Sequence, residues 1–237
     1  MKIDASELKY DPAVVGLGAD TGVSLIDQAQ LYIRREILSG NLKPGQKLKI
    51  VKLSEKLEIG PTPVREALSR LVSQGMVATE SHRGFFVPRL SFDELEDILD
   101  QRILVEGEAL KDSIINGDDD WEAGVQEAYK RLEKLERSPD TPLRHWGDWE
   151  EQHQYFHRML VAGARSTWSQ KLNHILLENM GRYRHVLTLE TYQLENFNND
   201  HCDLYLSAIN RRPEEAVEIL SAHIRNNLDL CYCKGMA

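Results

Sequence analysis

Two histidines, His153 and His157, stand four residues apart in the run WEEQHQYFHRML. On a helix that spacing sends both rings out of one face, where they can share a metal ion. His201 and His223 lie 22 residues apart on either side of Arg212-Pro213. If that dipeptide turns an antiparallel helix pair, the two rings reach similar heights. Three or four imidazoles converging inside a helical bundle suit a divalent transition metal, zinc or nickel first. An isolated His-x3-His pair is more often a polar contact, so spacing alone leaves both readings open. Arg102 and Arg184 carry guanidinium forks that can grip a carboxylate ligand. The competing role for Arg102 is an interhelix salt bridge with Glu106 or Glu108. Among carboxylates near the histidines, Glu150 alone has a spacing compatible with a general base. Tyr183 and Trp149 read as packing residues, and Cys231-x-Cys233 reads as incidental.

A second chemistry lies nearer the N-terminus. Between Ser24 and Leu90 eleven basic residues face six acidic ones, a balance of +5. The whole chain carries −9, so the remainder carries −14. A cationic block of this kind attracts a polyanion such as double-stranded DNA, while the acidic remainder would point away from it. Thr62 and Arg65 open a predicted helix, where an arginine can reach a phosphate or a guanine edge. Lys49 and Lys52 precede it, suited to phosphate. Arg83-Gly84 forms a predicted hairpin tip shaped for the minor groove, with glycine allowing close approach.

The elements that must position these residues follow from periodicity and punctuation. Residues 1–23 lack a period and read as an arm. Ser24 to Ser39 shows helical spacing at Leu25, Ile26, Ala29, Ile33, Ile37 and Leu38, stopped by Gly40 and Pro44-Gly45. Val51 to Leu57 reads as a short helix with Val51, Leu53 and Leu57 on its apolar face. Thr62 is expected to cap the next helix, with Pro63 in its first position. Gly75 ends it, and Val77–Glu80 and Phe85–Pro88 read as a β-hairpin. Residues 89–91 are a linker, and Ser91-Phe-Asp-Glu94 is a capping box. Beyond it the chain reads as wholly helical over 92–115, 121–137, 146–163, 168–189, 192–210 and 213–232, followed by a tail, 233–237. The expected fold is mainly α: a winged helix-turn-helix over 24–88 joined to an all-helical domain over 92–232. Three cysteines are too few for a disulfide framework, which points to a reducing cytoplasm. No apolar run is long enough to span a membrane.

The stretch LKPGQKL…LSEKLEIGPTPVREALSRLVSQGMVATESHRGFFV resembles the DNA-binding domain of GntR-type bacterial transcription regulators. The remainder, from LSFDELEDILDQRILVEGEAL onward, is similar to the helical effector domain of the FadR-type (FCD) branch. Two departures concern the operator. Pro61 stands where the family usually places a base-reading arginine, and Val51 falls near another position often held by arginine. The metal-binding members have Asp-x3-His followed by two histidines 22 residues apart. His157, His201 and His223 match that pattern, and His153 replaces the aspartate. Losing the carboxylate charge favours softer divalent ions. Arg102 matches the family's Arg-x-x-x-Glu element. Trp146, Trp149-x3-His153-Gln-x-Phe156-His157 and Arg182-Tyr-Arg184-His are most similar to the carbon-starvation repressor (CsiR) subgroup. That likeness implies a small dicarboxylate effector such as glutarate.

The resulting expectation is a homodimeric repressor of double-stranded operator DNA, relieved by a small carboxylate bound at a metal. The weighed alternatives are a helical-bundle metalloenzyme, which leaves the basic block unexplained, and a metal sensor with no organic effector.

Overall fold

The computed structural model of the chain describes residues 23–80, 84–137, 146–191 and 197–232. The expected arm (1–22), the wing tip at 81–83 with Arg83, and the tail fall outside the described residues.

Helix α1 (Leu25–Leu38) starts where Ser24 Oγ accepts from the Asp27 amide at 3.2 Å. Its buried stripe is Ala29, Tyr32, Ile33 and Ile37. Strand β1 (Lys47–Leu48) and helices α2 (Ile50–Leu57) and α3 (Pro61–Ser73) follow, then strands β2 (Ala78–Glu80) and β3 (Gly84–Phe86). The three strands pair antiparallel in the order β1-β3-β2, with Lys47 opposite Phe86 and Thr79 opposite Phe85. β1 was not expected; two residues are too short for a legible alternation. Val51 is exposed, leaving Leu53 as the buried residue of α2.

The start of α3 also corrects the sequence reading. Gly60 is the N-cap, Pro61 occupies the first turn, and no side chain caps the helix. Proline there removes an N–H that would have no partner and presets φ, so the helix begins two residues earlier than a Thr62 cap requires. Val64, Ala67, Leu68 and Leu71 are fully buried against α1 and α2. Leu71→Ala is expected to cost about 2–5 kcal/mol, read as a shift in the urea midpoint of the first unfolding transition.

Among the described residues six helices form the rest: α4 (Phe92–Asn116), α5 (Asp119–Glu136), α6 (Trp146–Leu160), α7 (Thr167–Thr191), α8 (Phe197–Ile209) and α9 (Pro213–Tyr232). Ser91 caps α4 by accepting from the Glu94 amide at 3.1 Å, as the capping-box sequence implies. A separate hydrophobic core runs from Leu95 to Ile224. The two cores meet where α1 lies on α6 and α7. Trp146 Nε1 donates to the Leu38 carbonyl at 3.1 Å, Arg35 pairs with Asp148 at 2.7 Å, and Asn179 Nδ2 donates to the Gln74 carbonyl at 2.8 Å. Among the described residues no helix is long and apolar enough to cross a membrane.

Candidate metal centre and nucleic-acid interface

Helix α6 carries His153 and His157, α8 carries His201 and α9 carries His223. All four are buried, and one ring nitrogen from each lies within 4.8 Å of the others. Metal–nitrogen bonds of about 2.0–2.1 Å are reached from there by small side-chain movements. The antiparallel α8–α9 pair brings His201 and His223 together as the turn at Arg212-Pro213 requires.

Three of the rings are oriented by carboxylates that sequence reasoning missed. His157 Nδ1 lies 2.6 Å from Glu106 Oε1, His201 Nδ1 lies 2.7 Å from Glu136 Oε1, and His223 Nδ1 lies 3.4 Å from Asp200 Oδ2. Such partners fix the tautomer that presents Nε2 to a metal. The Nε2 atoms of His157 and His201 and both ring nitrogens of His153 are buried without a hydrogen-bond partner. Buried polar atoms rarely stay unsatisfied, so a convergent set of them fits a cation. His153 lacks a carboxylate partner and stacks on Trp149, with centroids 4.7 Å apart. Trp149 thus packs, as expected, but against a site residue. Glu106 was visible in sequence four residues after Arg102, and Asp200 next to His201. Glu136 carries no local signal, being 65 residues from its histidine.

Electrostatics keep these rings ready to ligate. Burial pushes His153 well below the ordinary imidazole value. It takes His157 to about 4 and His223 to about 3, with Glu106 and Asp200 pulling the other way. Burial opposes ionisation of Glu106, yet the Arg102 and His157 charges hold its carboxyl down at about 2. The sign of the resulting pH dependence is definite. As pH falls from about 6.5 toward 4, unfolded histidines take up protons that the folded rings refuse. The metal-free chain therefore loses stability as pH falls through that window. Urea midpoints between pH 7 and 5 test this; a flat profile would contradict it. Glu106→Gln is expected to lower zinc affinity about 10–100-fold, measured by chelator competition.

The two arginines are fully buried near this cluster. Arg102 donates from Nε and Nη2 to Glu106 Oε2 at 3.0 and 2.7 Å. That is the competing salt bridge of the sequence reading, made within α4 rather than between helices. Its Nη1 has no partner and remains available to an anion. Arg184 donates to Glu150 from Nε at 2.8 Å and Nη2 at 3.2 Å. Its charge acts on both His153 and Arg102, which places it beside the imidazoles. Glu150 is thus engaged by an arginine, not poised as a base. Tyr183 packs as expected, its hydroxyl donating to Glu94.

In the winged half, Thr62, Arg65, Lys49 and Lys52 are all exposed. Among the described residues no ion pair holds the Arg65 guanidinium. Ser69 Oγ donates to the Arg65 carbonyl at 3.0 Å and leaves that side chain alone. Gly84 has φ +76° with open space around its missing side chain, as a wing tip needs.

A winged helix joined to a helical domain with a buried ligating cluster defines a DNA-binding transcriptional regulator. Residues 25–87 match the model described as bacterial regulatory proteins, gntR family, and residues 97–226 match the FCD domain. The chain is 36% identical over 208 residues to an uncharacterized HTH-type transcriptional regulator, BphR, of Paraburkholderia xenovorans strain LB400. That alignment covers 87% of this chain and 85% of BphR. It is 31% identical to the HTH-type transcriptional repressor GlaR of Escherichia coli K12, covering 81% of this chain and 89% of GlaR. The solved structure of Escherichia coli McbR/YncC has the same fold, with a TM-score of 0.77 at 23% identity over 90% of this chain and 99% of that one. The chain belongs to the GntR family, in its FCD branch. It is a regulator and not an enzyme, which removes the metalloenzyme alternative.

Proposed function

We propose that this regulator is a homodimeric repressor whose operator affinity falls when a small carboxylate binds at a metal in its helical domain. Residues 24–88 would grip DNA and residues 92–232 would sense the ligand. The observation that carries the reading is the convergence of four buried imidazoles, with unsatisfied nitrogens on His153, His157 and His201. His157, His201 and His223 would hold zinc or nickel, and His153 would complete the set. When bound, the metal supplies an open position for a carboxylate oxygen. Arg102 would take the far carboxylate of a dicarboxylate through its unpartnered Nη1, with Arg184 as the second cation. Glutarate is the first ligand to test, given the likeness to the carbon-starvation repressor subgroup.

Arg65 and Thr62 would enter the major groove, Lys49 and Lys52 would bind phosphates, and Arg83-Gly84 would approach the minor groove. A two-fold operator matches two recognition helices in a dimer. The name of one relative, GlaR, supports repression as the sign. Calorimetry of zinc-loaded protein with glutarate and related dicarboxylates tests the effector; heat is expected only with metal present. Absence of heat with every acid would leave a metal sensor in its place.

A further inference from the structure

A chain of hydrogen bonds, buried except for its last, part-buried link, joins the candidate effector site to the DNA-binding half. Arg184 holds Glu150 through both carboxylate oxygens. Gln154 Nε2 donates to Glu150 Oε1 at 2.7 Å. Arg34 Nη2 on α1 donates to Gln154 Oε1 at 2.5 Å. The Gln154 carboxamide can serve both neighbours only in this sense, its NH2 toward the carboxylate and its oxygen toward the guanidinium. Glu150, Gln154 and Arg184 are each at most 1% exposed, so water does not compete along the inner part of the route, while the Arg34 side chain at its outer end is 16% exposed. Arg34 is also held by Glu178 of α7, so its fork is fixed from two helices.

Gly181 of α7 makes the crossing fit. A Cβ there would lie 2.7 Å from Glu150 Oε1, 2.9 Å from Gln154 Nε2 and 2.6 Å from Leu38 Cδ2 of α1. Absence of a side chain at this one position lets the relay and the α1 contact share a single layer. The outer end of the route borders a cleft lined by Arg34, Arg35, Glu150 and Glu151, which gives released groups water to turn into.

We propose that Glu150, Gln154 and Arg34 couple ligand occupancy to the docking of the winged domain. A carboxylate arriving at Arg184 competes with Glu150; Glu150 then loosens its hold on Gln154, and Gln154 on Arg34. Arg34 is left with one ion pair, and α1 is freer to leave α6 and α7. One carboxylate replaces another on the buried guanidinium, and the displaced Glu150 carboxylate turns into the bordering cleft, where water solvates it. The proposal rests on the carboxylate reading of the site, and its test separates the two. Coupling of this kind is reciprocal: breaking the relay by mutation should tighten ligand binding.

The test is hydrogen–deuterium exchange of the full-length, zinc-loaded protein with and without glutarate. In the parent protein glutarate should raise exchange of the α1 amides at 34–38 about five-fold or more. Gln154→Leu should show that raised exchange without ligand and no further rise with it. It should keep its zinc stoichiometry and bind glutarate a few-fold tighter. A full ligand-dependent rise in Gln154→Leu, or none in the parent protein despite glutarate binding, would overturn the relay. If calorimetry shows no glutarate binding, the effector reading has failed, and the relay is judged without ligand on its two ends. Arg34→Met and Arg184→Lys should then each raise α1 exchange, with the double variant no higher than the larger single effect. Additive effects would mean two independent contacts and sink the proposal. Gly181→Ala replaces Arg184→Lys should the latter not fold.

Discussion

His157→Ala is expected to weaken zinc binding by more than a hundred-fold. Removing a partner that merely orients a ligand costs 10–100-fold, and His157 would be the ligand itself. Three features make it the decisive position. Its Nε2 is buried without a partner, Glu106 fixes its ring from the Nδ1 side, and its ring lies close to His153, His201 and His223. The variant should still fold, because Glu106 keeps its bonds to Arg102 after the imidazole is gone. Zinc content by mass spectrometry and chelator competition read the outcome. Stoichiometric, tightly held metal in this variant would refute the four-histidine centre. His153→Ala is expected to cost less, since no carboxylate orients that ring, and the comparison ranks the two positions on α6.

Arg65→Ala is expected to lower affinity for sites selected from random DNA on the parent protein by about 5–150-fold, or about 1–3 kcal/mol. The side chain is exposed on the first turns of α3, opposite Val64, Ala67, Leu68 and Leu71. Its removal leaves that buried face intact, so helical content should not change. The pattern of loss separates two roles. Contact with a guanine edge would relax specificity at one position. Contact with phosphate would weaken all sequences alike and reduce the salt slope by about 1. Unchanged affinity at physiological salt would refute α3 as the recognition helix.

The sequence located both chemistries because each was written in local spacing. His153 and His157 share a face by virtue of four residues on one helix. The α8–α9 partnership was legible because Arg212-Pro213 breaks the helical pattern midway between His201 and His223. The Ser91 cap followed from its capping-box sequence alone. Thr62 was misread as the cap because a threonine before a proline imitates a capping signal. The structure instead uses the first proline to start the helix.

What the tertiary structure decided concerns partners far apart in the chain. Glu136 reaches His201 across 65 residues, Arg34 reaches Gln154 across 120, and Glu150 reaches Arg184 across 34. None of these pairs lies within one element, so no periodicity could pair them. Local steric and hydrogen-bonding rules fix helices and their faces. Which buried charge answers which is settled only when helices pack, because desolvation makes an unpaired carboxylate or guanidinium too costly to leave alone.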